Sequence, residues 1–378
     1  MEDHTADESG RAGPITNRRT FLMTAASATV VGLAGCLGSG DDPFDDYGPQ
    51  GAPVASNAVS WDDLGDLEGE LTVYSGRRRS QIGPLFDALE EKYPDFTILT
   101  DYDDNAQQLN KLQEEGDATP ADVFYTQSSG ALAAMKENGL ARELPDDVVG
   151  AVSDSRSDPD GTWTGASGRV RAVQYNTNHF SADELPDDIF AYAEDDRFEG
   201  IISTRPNSGA FRSFIIAMIE LEGEDRTREW VRKMVDDQNA TLYSSGSTMA
   251  ERVESGEVHV GIGNQYYAGR IIGSDPNANL GVAFTNGDAG CLFNVSGIAI
   301  PEGADRPNLA AEFTRHVLAE EGQDFFVEVN GEYPVVDGVE YVGDLPTVDD
   351  INPPEMDLNA LANVERAVDL LRDEGMTV

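Results

Sequence analysis

Between Gly69 and Gly139 the chain switches three times from a short β-prone run into a helical one. "GELTVYSG" precedes "RSQIGPLFDALEEKY", "FTILTDY" precedes "NAQQLNKLQEEG", and "ADVFYTQ" precedes "GALAAMKENG". In the first helical run Ile82, Leu85, Phe86 and Leu89 fall on one face at the 3.6-residue period. In the strand run before it, Leu71 and Val73 alternate with the β-prone Thr72 and Tyr74. Gly116 closes the second helical run, where a residue free to take positive φ is favoured. Such alternation predicts an α/β fold with a mostly parallel sheet.

The pattern resumes further on. "GRVRAVQYN" reads as a strand, and "GAFRSFIIAMIELEG", "DRTREWVRKMVDD" and "TMAERVESG" as helices. "EVHVGIGNQYY" and "SGIAIPEG" read as strands, and "PNLAAEFTRHVLAEEGQDFFVEV" as a long helix broken near Gly322. At 378 residues the chain exceeds one small core, so two α/β lobes are expected, with a ligand cleft at the carboxyl ends of their strands. The expected division is residues 69–170 plus about 295–345 for one lobe, and 171–294 plus the C-terminal segment for the other.

Residues 1–36 have the signature of an export signal. Arg18 and Arg19 stand before Phe21 and Leu22, and an apolar run extends to Ala34. It is too short to span a bilayer comfortably and has the flanks of a twin-arginine signal peptide. "LAGC", Leu33 to Cys36, resembles a lipobox, so Cys36 is expected to carry the lipid anchor. Residues 37–68 are rich in Gly, Pro and Asp and read as a flexible acidic linker, a tether of roughly 30 residues. The expected location is the outer face of the cytoplasmic membrane. Cys291 is the other cysteine, and no structural disulfide is expected.

Charge excludes one class of partner. The 70 acidic residues against 26 lysines and arginines give a net charge of -44. Nucleic acid and anionic bilayers are therefore not electrostatic partners. The acids are spread along the chain, and lysine occurs only at Lys92, Lys111, Lys136 and Lys233, a balance that resembles halophilic proteins.

Catalytic motifs such as GxSxG, a P-loop or HExxH are absent, and His179, His259 and His316 lack metal-motif spacing. The unusual residues sit in loops after predicted strands. Arg77, Arg78 and Arg79 follow the first strand and suggest an anion clamp. "YTQSSG" follows the third. Arg169, Arg171 and Tyr175 lie in "SGRVRAVQYN". Asn207, Ser208, Gly209 and Ala210 precede a long apolar helix, where they would cap it or present free N–H groups to an anion. Tyr266 and Tyr267 stand side by side in "GNQYYAGR", flanked by small and polar residues. Phenols, arginines and a helix N-terminus together suit a hard trivalent cation with a companion anion. Fe(III) prefers anionic oxygen, and tyrosinate binds ferric iron in catalase. An anion without iron also fits these loops, whereas a hydrolase lacks its nucleophile and base.

At these residues the sequence resembles the periplasmic ferric-iron-binding proteins of ABC importers. The likeness runs through "LTVYSGR", "LQEEGDATPADVFYTQ", "GRVRAVQYN", "NSGAF", "VESGEVHVGIGNQYY" and "FFVEVNGEYPV". It implies a two-lobed, class II periplasmic-binding-protein fold with transferrin-like lobes that close on Fe(III). It implies Tyr266 and Tyr267 as iron ligands, with Tyr175 matching a further tyrosine used in some branches. Ser208, Gly209, Ala210 and Asn264 match positions that contact the companion anion. Arg78 lies near a ligand histidine of some members, and Gln127 replaces a ligand glutamate. The resemblance thus implies a tyrosine-rich site with carbonate or a similar anion near Arg77 or Arg78. The implied protein is a monomer that binds rather than catalyses, with an ABC permease as partner. Related binders carry oxyanions, polyamines or thiamine, so a solute other than iron is the alternative on the same fold.

Overall fold

The structure, a computed structural model, describes residues 59–336, 339, 341 and 345–377. The expected signal, the Cys36 anchor and the linker up to residue 58 lie outside the described residues. The last part of the expected linker is corrected: Trp61–Asp63 forms a 3-10 turn, Trp61 and Leu67 are buried, and Trp61 Nε1 donates to the His316 carbonyl at 2.8 Å, so apolar burial fixes the chain from about Ser60 onward. Among the described residues no helix is long and apolar enough to cross a membrane.

Nine strands are formed among the described residues: β1 Gly69–Ser75, β2 Phe96–Tyr102, β3 Val123–Thr126, β4 Thr164–Asn176, β5 Ile202–Thr204, β6 Thr241–Leu242, β7 Val260–Asn264, β8 Leu280–Ala283 and β9 Phe293–Ala299. Their order is β2-β1-β3-β9-β4-β7-β5-β6, with β8 also on β4. Helices connect them, which makes the fold α/β. The sheet is mixed, not mostly parallel. β1 pairs in parallel with β2 and β3, and β5 with β6 and β7. The pairings of β9 with β3 and β4, and of β4 with β7 and β8, are antiparallel. The βαβ units thus give parallel pairs inside each half, while β4 and β9, which join the halves, run against their neighbours.

β4 is the central element. All 13 of its residues are buried. Thr164–Val170 pairs with β9, and from Arg171 onward the partners are β7 and then β8. A strand buried on both faces is ordinarily a continuous apolar run. β4 instead carries Arg169, Arg171, Gln174 and Asn176 in its buried length. That conflict between composition and environment marks it as functional.

The helix Gly209–Glu222 shows how burial overrides local preference. Its "FIIAMI" core is rich in residues that lose rotamer freedom in a helix, at up to about 0.7 kcal/mol each. Burying each of its large apolar side chains returns roughly 1.5–3 kcal/mol, and Phe211, Phe214, Ile215, Ile216 and Met218 are all buried. Ser208 Oγ accepts from the Phe211 N–H at its start, and Gly223, at φ 91°, ends it. The long C-terminal pattern breaks earlier than expected. The helix Pro307–Leu318 ends at Ala319, which is extended, and Glu320–Phe325 starts a new helix. Gly322 lies inside that second helix for another reason: a Cβ there would sit 2.4 Å from the Val317 carbonyl oxygen.

Candidate functional site

A cavity of about 470 Å³ opens where the strands end. Residues 76–79 follow β1, 102–105 take in the end of β2 and the turn after it, and 127 and 128 follow β3. Residues 205 and 207–210 follow β5, and residues 262–264, 266 and 267 close β7 and open the next helix. Arg169 and Arg171 reach it from the middle of β4. Both halves of the sheet therefore contribute, at the carboxyl ends where α/β folds place ligands.

The tyrosine pair sits in a change of geometry. β7 stops at Asn264 and a helix runs from Gln265 to Ser274. Tyr266 and Tyr267 occupy its first turn, with ring centroids 4.3 Å apart and planes at 44°. The first helical turn is short of intrahelical acceptors, so its N–H groups are free to face a ligand. Arg205 Nη1 donates to the Tyr267 hydroxyl over 3.2 Å. Asn264 Nδ2 lies 3.5 Å from the Tyr266 hydroxyl, and Arg270 stacks over the Tyr266 ring at 5.1 Å. Burial pushes the Tyr266 phenol pKa well up, the adjacent Tyr267 adds to that, and Arg169 opposes it. Space for Tyr267 comes from Gly246, where a Cβ would meet its ring at 2.3 Å.

The arginines divide into two kinds. Arg77 lines the cavity wall but is fully buried, and both terminal nitrogens of its guanidinium are engaged, though Nε is not. Nη1 and Nη2 each donate to Glu332 over 3.0 Å, and Nη1 also reaches Ser167 and Ser296. Burial alone would lower its pKa, but Glu332 outweighs that and raises it. The expected anion role for Arg77 is corrected accordingly: its charge already has a partner. Arg78 is exposed at the start of the helix Arg79–Lys92 and does line the cavity.

Arg169 and Arg171 have no carboxylate against them. Arg169 Nη2 donates to the Gln127 carbonyl, while its Nη1 is buried without a partner. Arg171 makes two long hydrogen bonds, 3.4 Å to the carbonyls of Ile262 and Ala210, and lies over the rings of Phe211 and Phe214. Burial lowers both pKa values, that of Arg171 to about 9. Strand parity places the two on one face of β4, and the register sets Arg171 opposite Asn264.

Tyr175 does not join the group. It follows Arg171 and Val173 in the parity series of β4 but lies outside the cavity lining. Its ring packs on Gly281 of β8, where a Cβ would sit 2.3 Å from it. The implied iron role for Tyr175 is corrected: the strand carries it about 13 Å past Arg171 at roughly 3.3 Å per residue.

Ser208 uses its Oγ to cap the helix, accepting from Phe211 N–H at 3.1 Å. Gly209 and Ala210 are the first two helical residues, whose N–H groups have no intrahelical acceptor. Both line the cavity, as does Asn264. Sequence reasoning misses Arg205; its place directly after β5 is the signal that could have found it. Among the described residues no cluster of three or more His, Cys, Asp or Glu side chains is assembled. The hard oxygen donors at the cavity are the phenols of Tyr102, Tyr266 and Tyr267 and the carboxylates of Asp103 and Asp104. Asp104 is committed to capping the helix Asn105–Glu115.

Comparison with known proteins agrees with this architecture. The model of the bacterial extracellular solute-binding protein family matches residues 85–350. Iron uptake protein A1 of Synechocystis sp. is 27% identical over 363 residues, covering 89% of this chain and 94% of the relative. The major ferric iron-binding protein of Neisseria meningitidis is 26% identical over 316 residues, covering 81% and 93%. Iron-bound HitA from Pseudomonas aeruginosa superposes with a TM-score of 0.74 at 26% identity, covering 81% of this chain and 99% of that one.

Proposed function

The chain belongs to the bacterial extracellular solute-binding protein family, and on that premise we propose that it captures Fe(III) through the phenolates of Tyr266 and Tyr267 and delivers it to an ABC permease. The observation that carries this reading is the adjacency of the two phenols on one helical turn, facing a cavity that also holds arginines. The names of the relatives, an iron uptake protein and a ferric iron-binding protein, support it.

Fe(III) is a hard cation and phenolate a hard anionic donor. A free phenol has a pKa of about 10, so binding must displace two protons. Burial makes that harder at Tyr266, and the metal's own charge supplies the compensation. The anion subsite in this reading comprises the N–H groups at Ser208, Gly209 and Ala210, with Asn264, Arg78, Arg169 and Arg171. Carbonate or a similar oxyanion fits it. The halves of the sheet act as lobes, with residues 69–170 plus about 295–345 moving against 171–294 plus the C-terminal segment. A lipid on Cys36 would hold a monomer at the outer face of the membrane, within reach of its permease.

Adding Fe(III) with bicarbonate to the metal-free protein should produce a visible phenolate-to-iron charge-transfer band. No band and no retained iron would end the iron reading. One observation favours a second reading, an anion bound without iron: Arg169 Nη1 is buried and unpartnered. Thermal stabilisation by an oxyanion in metal-free buffer, with no response to Fe(III), would select it.

A further inference from the structure

The turn between the helix Glu224–Asp236 and β6 contains Asn239, Ala240 and Thr241 in succession. Asn-x-Thr, with x other than proline, is the acceptor motif for an N-linked glycan on secreted chains. The Asn-x-Ser/Thr motif occurs twice, at Asn239 and again at Asn294, which Val295 and Ser296 follow. By sequence the two are equivalent, and the fold separates them. Asn294 is 4% exposed in β9, between β3 and β4, and its Oδ1 accepts from the Val295 N–H at 2.8 Å. No enzyme reaches that side chain without opening the centre of the sheet.

Asn239 is exposed. Among the described residues it is the one non-glycine residue in the left-handed region, at φ 46°, which asparagine tolerates better than most side chains. Its neighbours are held while it is not. Gln238 Nε2 donates to the carbonyls of Ala193 and Asp195 at 3.1 and 3.3 Å, and the Ala240 N–H donates to the Met234 carbonyl at 3.0 Å. No hydrogen bond to another described residue commits the Asn239 carboxamide. Thr241 opens β6, the last strand in the sheet order, so one side of the motif is free for an enzyme that grips an extended acceptor. β5 and β6 run parallel, and the cavity lies past the carboxyl end of β5. Asn239 precedes the amino end of β6 and therefore stands at the opposite end of the sheet from the cavity.

We propose that Asn239 carries an N-linked glycan, attached to the folded protein outside the cytoplasmic membrane. The family is one of extracellular proteins. The export route expected from residues 1–36, a twin-arginine signal, delivers chains already folded, so the fold chooses between the two motifs. The donor is an oligosaccharide carried on a polyprenyl phosphate. The bond from its anomeric carbon to the phosphate oxygen breaks, and a bond from that carbon to Asn239 Nδ2 forms. The lipid phosphate leaves, one amide proton is released, and nothing is oxidised or reduced. Thr241 supplies the hydroxyl by which the acceptor is recognised. The sugar stands away from the cavity, so solute capture proceeds with it in place, and the proposal is independent of the iron reading.

The test uses the full chain with an Asn-Ala-Thr tag added after Val378, exported by a host whose N-glycosylation machinery modifies that tag. Intact mass and peptide mapping are read on the purified protein, with circular dichroism confirming the fold. The expected result is a glycan at the tag and another at Asn239, with the Asn294 peptide bare. Asn239→Gln and Thr241→Ala should each lose the mass of one glycan. Thr241→Ser should keep it, because a serine hydroxyl also completes the motif. If a variant fails to fold, mapping of the otherwise unaltered chain decides by itself. A glycosylated tag beside a bare Asn239 overturns the proposal. A glycan on Asn294 overturns it as well, since the fold would then not have made the choice.

Discussion

Arg77 and Glu332, 255 residues apart in sequence, form a two-toothed ion pair in the interior, with Nη1–Oε2 and Nη2–Oε1 both at 3.0 Å. The pair ties the end of β1 to the turn after Asn330, and Ser167 adds a 2.6 Å hydrogen bond to Glu332. Glu332→Gln keeps the shape but strands a buried charge. The expected loss is about 3–5 kcal/mol, or a fall in Tm of roughly 4–7 °C at about 2.1 cal/mol/K of unfolding entropy per residue. Arg77→Met combined with Glu332→Gln should be more stable than Glu332→Gln alone. A single variant that melts with the unaltered protein would show that the pair is not formed as described.

The tyrosines are separable by spectrum. Tyr266→Phe and Tyr267→Phe should each weaken and shift the ferric charge-transfer band, and the double variant should abolish it. Tyr175→Phe should leave band position and intensity unchanged, because that ring packs on Gly281 outside the cavity. A band lost with Tyr175→Phe would return that residue to the site.

Gly246 makes a third case. A methyl group there would come within 2.3 Å of the Tyr267 ring, which must then swing away from Arg205. Gly246→Ala is expected to lower ferric affinity by tenfold or more, on the order of 1.4 kcal/mol, with the helix Gly246–Ser255 itself unharmed. Titration of iron against a competing chelator, with far-ultraviolet circular dichroism as the control, measures both. Unchanged affinity would mean that Tyr267 does not depend on this contact.

His316 gives the fold a pH dependence. It is fully buried, and its Nδ1 lies 2.8 Å from the Glu312 carbonyl, which can only accept. The neutral ring therefore carries its proton on Nδ1, and Nε2 lies 3.0 Å from the Tyr93 hydroxyl, whose one proton is shared between Nε2 and the Trp61 carbonyl at 3.2 Å. Burial lowers its pKa from 6.5. The unfolded chain then takes the proton first as pH falls. The contribution of His316 is complete above 6.5 and is lost below it, towards its depressed folded value. The Tm difference between pH 7.5 and pH 5 should shrink in His316→Gln. An equal difference in both proteins would exclude His316 as a source.

Much of the fold could be read in the chain. Ser208, Gly116 and Gly223 mark helix ends through local backbone chemistry, and the alternation of strand and helix sets the α/β class. The direction of β4 and β9 was not legible, because the mixed sheet comes from strands that cross between the halves. Within the site, Tyr266 and Tyr267 stand out because only small and polar residues flank them. Tyr175, implied by the family resemblance, shares the parity of Arg169 and Arg171, but parity reports the face of a strand and not the distance along it.

Local sequence determined which residues end up at the carboxyl ends of strands: the arginines after β1, the phenols after β7, the helix start after β5. These follow from neighbours a few residues away. Which of those groups keeps an unspent charge was decided by tertiary structure alone. Arg77 finds Glu332 from across the chain, whereas Arg169 and Arg171 find only carbonyls and aromatic rings. Ion pairing depends on contacts between segments hundreds of residues apart, which no local pattern encodes.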